Sequence, residues 1–88
     1  MITELRIRTS NGPEGCSEAE LGFMEGGREL FAYILEFDSV YYGISEEDVI
    51  ENDDLEEYIS YESREEALRS DYGWCFKILE KAIELAGE

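Results

Sequence analysis

Eighty-eight residues form one domain, and a 43% apolar fraction with six Tyr, four Phe and one Trp supports a modest core. Such aromatic content excludes an acidic disordered chain. A net charge of −16 disfavours direct nucleic-acid binding, and no apolar run reaches membrane-spanning length.

The chain opens with alternation. Thr3, Leu5, Ile7 and Thr9 fall on one face of a strand over Ile2 to Thr9, and Glu4, Arg6 and Arg8 on the other. Ser10-Asn11-Gly12-Pro13-Glu14-Gly15 is dense in turn formers and predicts a loop. The start carries no apolar leader, so a cytoplasmic protein is expected. Cys16 and Cys75 lack CxxC spacing, and two free thiols fit that compartment better than one disulfide.

Glu18–Glu25 and Arg28–Asp38 predict a hairpin around Gly26-Gly27, which supplies the positive φ angles of a two-residue turn. That register sets Glu25 opposite Arg28, Phe23 opposite Leu30 and Leu21 opposite Ala32. The second strand is apolar on both faces. Leu30, Ala32 and Ile34 line one, and Phe31, Tyr33, Leu35 and Phe37 the other, as in a central strand covered on both sides. Val40 to Ile44 predicts a further short strand.

Ser45-Glu46-Glu47-Asp48 resembles a capping box and predicts a helix from Glu46, which either runs unbroken past Asn52-Asp53-Asp54 or breaks there and restarts at Asp54. Ser63-Arg64-Glu65-Glu66 is a better box. It opens a helical stripe of Leu68, Tyr72, Cys75, Phe76, Leu79, Ala82, Ile83 and Ala86, with Gly73 as a local flaw or kink. The expected architecture is α+β: an antiparallel sheet of three or four strands in residues 1–44, packed by helices from residues 45–88.

Catalytic and metal-binding patterns are missing. There is no histidine to serve as general base or metal ligand. Asn52, Asp53, Asp54 and Glu57 lack the alternating spacing, central glycine and terminal glutamate of an EF-hand loop. The glycines match neither a Walker nor a dinucleotide fingerprint. Neither an enzyme nor a cofactor is expected.

The charge is unevenly spread. Glu36 to Glu66 holds thirteen acids and one base, whereas Ala67 to the end holds four acids and three bases. Solubility alone does not require that asymmetry, but a binding face does. Carboxylates four residues apart on a helix stand roughly 5–6 Å apart, close to the phosphate spacing along one nucleic-acid strand. The expected partner is therefore a basic nucleic-acid-binding protein, met by Glu46, Glu47, Glu51, Asp53, Asp54, Glu56 and Glu57. Tyr41, Tyr42, Tyr58 and Tyr61 are the expected contact anchors, with edge-of-core packing as their competing role. In size and charge the chain is similar to phage anti-restriction and anti-CRISPR proteins and to immunity proteins against nuclease toxins. That likeness is compositional and rests on no motif. The alternative is a small adaptor or homodimer that docks through Phe31, Tyr33, Leu35 and Phe37, its acids serving solubility.

Overall fold

The computed structural model describes residues 2–12, 15–36, 39–48 and 59–86. The fold is α+β, with an antiparallel sheet from the N-terminal half packed by C-terminal helices. The strands are β1 (Ile2–Gly12), β2 (Gly15–Glu25), β3 (Arg28–Glu36), β4 (Val40–Ser45) and the two-residue β5 (Ile59–Ser60), in the spatial order β1-β2-β3-β4-β5. Helices α1 (Arg64–Arg69) and α2 (Gly73–Ala86) follow.

The β2–β3 hairpin forms in the expected register, with Glu25 opposite Arg28, Phe23 opposite Leu30 and Leu21 opposite Ala32. Gly26 and Gly27 adopt φ of 59° and 80°, a left-handed pair that side chains would disfavour. One face of the hairpin packs under the helices. Leu21, Phe23, Leu30, Ala32 and Ile34 join Tyr42, Ala67, Cys75, Phe76 and Leu79 in the core. Aromatic rings link its parts. Phe23 meets Tyr72 and Trp74 at tilted angles, and Phe76 receives Tyr42 and Tyr61 edge-on, all with centroids 5.5–5.8 Å apart.

β1 departs from simple alternation. Thr3 pairs with Met24 and Arg6 with Gly22, so Glu4 and Leu5 together oppose Phe23 in a bulge, and Glu4 takes φ of 57°. The bulge reverses the face parity. Ile2, not Thr3, shares the helix side with Ile7 and Thr9. The expected loop at Ser10–Gly15 is also shorter than its composition indicates. Backbone pairing continues through Asn11 with Cys16 and Gly12 with Gly15, because the two strands prolong each other's ladder.

The helical half needs three corrections. Glu46 and Glu47 form a bend rather than a first helical turn. Ser45 Oγ accepts from Glu47 N at 3.1 Å, but Glu46 is held by Arg28 and Asp48 by Arg8, and these ion pairs override a weak local helix signal. Any break or restart near Asn52–Asp54 lies outside the described residues. Ile59–Ser60, within the half expected to be helical, is instead a strand beside Gly43 and Ile44, extended when Tyr61 N donates to Tyr42 O at 2.8 Å.

The last helix is two helices. Ser63 caps α1 as expected, with Oγ accepting from Glu66 N at 3.2 Å. The Glu66 carboxylate accepts from Glu62 N at 3.1 Å, one residue earlier than in the standard box. Ser70 then ends α1 by donating its hydroxyl to Ala67 O at 2.6 Å, and it starts the next turn by accepting from Gly73 N at 3.0 Å through its carbonyl. Gly73 makes this corner sterically feasible, since a Cβ there would lie 2.2 Å from the Leu68 carbonyl oxygen. Gly73→Ala is therefore expected to destabilise by about 1–3 kcal/mol, as overpacking against a rigid neighbour does. Chemical denaturation checks this, and a midpoint equal to that of the parent would refute the corner geometry.

Candidate partner-binding surface

The expected site residues fall into three groups. Glu46 and Glu47 are exposed on the turn after β4. Tyr41, Tyr42 and Tyr61 are placed on or beside β4, but with different exposures. Glu51, Asp53, Asp54, Glu56, Glu57 and Tyr58 lie outside the described residues.

The tyrosines divide by strand parity. Tyr41 is 36% exposed on the sheet face away from the helices, opposite Leu35. Tyr42 points to the helices and is 9% exposed. Tyr61 is half-buried against Phe76. Tyr42 and Tyr61 thus pack at the edge of the core, and Tyr41 is the most exposed of the three.

Tyr42 also belongs to a polar node. Its hydroxyl donates to Glu80 Oε2 at 2.7 Å, and Arg64 donates to the same carboxylate from Nε at 2.6 Å and from Nη2 at 3.1 Å. The node joins β4, α1 and α2. Bonding to Arg64 holds the Glu80 carboxyl below the usual range, against partial burial that pushes it up, and the Tyr42 hydroxyl lowers it further. Burial first, then the Glu80 bond and charge, push the Tyr42 phenol up to about 12.

The signs of the two shifts differ. A depressed carboxyl contributes stability above its unfolded value of about 4.3, lost as pH falls through the folded value. A raised phenol contributes stability below its unfolded value of about 10, lost as pH rises toward the folded value. Glu80→Gln is expected to flatten the acid limb of the stability curve. It should also bring the Tyr42 titration part of the way back toward normal, burial being unchanged. Denaturation midpoints against pH and an ultraviolet tyrosinate titration read the two effects, and an acid limb as steep as the parent's would rule out the carboxyl's role.

The other sheet face carries a cleft of about 540 Å³, whose lining includes Arg6, Arg8, Glu20, Phe31, Glu47 and Asp48. Arg8, Glu20 and Tyr33 share one cross-strand row, and Arg6, Gly22 and Phe31 the next. Glu20 is only 1% exposed and is partnered there, as a buried carboxylate must be. Arg6 bonds Glu29 at 2.8 Å, and Arg8 bonds Asp48 at 2.6 Å. Strand alternation in β1 and β2 could have located these residues, but it could not show that the turn after β4 folds back over β1.

Phe31, Tyr33 and Leu35 are 6%, 0% and 3% exposed, so the apolar face invoked for an adaptor or homodimer is already buried within the chain. Phe37 lies outside the described residues. Cys75 is a free thiol in the core, pushed up to about 12 by burial first and then by the nearby Glu25 charge. That suits packing and not nucleophilic attack. The side chain of Cys16 is outside the described residues. Among the described residues no cluster of potential ligands could hold a metal ion, and no helix is long and apolar enough to cross a membrane. No family model matches the chain, and neither does any curated protein or solved structure.

Proposed function

We propose that this chain is a non-catalytic binding protein whose acidic surface docks on the basic, nucleic-acid-binding surface of another protein and blocks it. The chain's size and charge are similar to those of anti-restriction, anti-CRISPR and nuclease-immunity proteins. The observation that carries the reading is the use made of the bases. Arg6, Arg8, Arg28 and Arg64 each pair with a carboxylate of the same chain, and Lys81 lies 3.6 Å from that of Glu84. Two of the seven bases, Arg69 and Lys77, are outside these pairs, as are eighteen of the 23 acids, so the outward field stays strongly negative. Such a field accelerates encounter with a basic surface and rejects nucleic acid itself. The acid-rich run from Glu46 to Glu66 and the exposed ring of Tyr41 are the proposed contacts.

Two charge variants test the reading. Glu47, Glu51 and Glu57→Lys alters the proposed acid-rich run, and Glu4, Asp71 and Glu88→Lys alters acids outside it in sequence. Each moves the formal charge from −16 to −10. Immobilised parent protein is exposed to nuclease-treated source-cell lysate at about 0.05 M and about 0.5 M salt. The expected catch is a basic nucleic-acid-binding protein, released by high salt and by added duplex DNA, and lost with the face variant alone. Equal loss with both variants would assign the binding to net charge without a face. Salt-insensitive capture would contradict the electrostatic reading.

A further inference from the structure

We propose that the groove between the C-terminal half of α2 and the Glu36–Val40 end of the β3–β4 hairpin, where β3 leads into β4, receives an apolar side chain flanked by basic residues from a protein partner, an inference that rests on the acidic-surface reading.

The groove follows from how far the helix reaches over the sheet. On the helix side, β3 and β4 present three successive rows: Ala32 with Ile44, Ile34 with Tyr42, and Glu36 with Val40. Ala32, Ile34 and Tyr42 are covered as part of the core. The third row is not. Val40 is 50% exposed, although it shares a face with the core residues. Ile83 and Glu84 on α2 form the facing wall. The floor is thus aliphatic and aromatic, and the rim holds Glu36, Glu80 and Glu84.

Size and charge select the occupant. The space is about 290 Å³, at the foot of the roughly 300–1,000 Å³ range of small-molecule sites, which suits one side chain better than a cofactor. An acidic or phosphate-bearing group would meet three carboxylates. A wholly apolar ligand would strip water from that rim with no compensating bond. An aliphatic or aromatic residue with Lys or Arg beside it fills the floor and pairs with the rim. Glu84 is available for this, since its own pairing to Lys81 is long at 3.6 Å and exposed. Glu80 is already paired with Arg64, so Glu36 and Glu84 are the rim acids that meet an incoming base. A second copy of this chain is a poor occupant, because it brings a net charge of −16 to an acidic rim. The groove would therefore add selectivity to the docking, choosing among basic partners those that present an apolar residue within the basic patch.

The experiment uses the ¹⁵N-labelled full chain and two synthetic peptides of equal length and charge. One spaces its lysines with glycine and the other with leucine. The leucine peptide is expected to bind about tenfold tighter, as burial of one large aliphatic side chain allows. Its amide shifts should centre on Ile34, Glu36, Val40 and Ile83, while the glycine peptide perturbs exposed acids generally. Val40→Asp should remove the leucine advantage and keep glycine-peptide binding. Val40→Ala, a milder change at an exposed position, should reduce that advantage and retain the parent's spectral dispersion. Equal affinities, or leucine-peptide shifts that avoid the groove, would overturn the groove and leave the acidic-surface reading standing. Failure of both peptides to bind would overturn both. Groove binding by the leucine peptide with no binding of the other would overturn the acidic-surface reading alone.

Discussion

A chain of charge −16 stays folded only if burial at its centre outweighs repulsion at its rim, and β3 is where that burial is concentrated. Six consecutive residues, Leu30 to Leu35, are buried. The odd-even alternation that usually sends half a strand's side chains to water is suspended here. β2 and β4 must therefore flank it, and covering must be found on both sides. Helices supply one cover. The rest of the architecture follows from keeping charge away from these six positions.

Among the described residues, acids that enter the interior have partners. Glu20 is buried and Glu80 and Asp48 are partly buried, and Glu80 and Asp48 each hold an arginine. Those arginines join segments distant in sequence: Arg8 in β1 to the turn after β4, and Arg64 in α1 to α2. Exposed ion pairs contribute little to stability, typically about 0–1 kcal/mol. Their larger effect here is positional. The Arg64–Glu80–Tyr42 node fixes how α1 and α2 sit against β4, and it thereby sets where α2 ends over the sheet.

Legibility in the sequence followed the reach of the forces involved. The β2–β3 hairpin was readable to the residue pair, because Gly26-Gly27 dictates the turn and the apolar pattern dictates the register. The α1 cap was readable for the same reason, as a contact spanning three residues. The β1 bulge was not. Alternation through Glu4 and Leu5 looks regular, and what displaces it is pairing with β2, more than fifteen residues away. The helical turn expected at Glu46 and Glu47 is a bend instead, where Arg28 and Arg8, remote in sequence, hold Glu46 and Asp48. The corner at Ser70–Tyr72 was half legible. Gly73 marked the place, but only the approach of the Leu68 carbonyl explains why glycine is required there.

The same division separates the two proposed elements of binding. A broad acidic field can be read from composition, and it acts at long range with little discrimination among basic surfaces. Discrimination needs contact, and contact needs a shape that only tertiary structure creates. Val40 and Ile83 are unremarkable in sequence, one opening a short strand and the other near the end of a helical stripe. They line one groove because the third row of the hairpin extends past the helix that covers the first two. Field and groove are thus physically independent, one set by net charge and the other by where α2 lies over the hairpin. Salt should weaken the first and leave the apolar contribution of the second nearly intact. A partner that satisfies both would associate fast through the field and dissociate slowly through the groove.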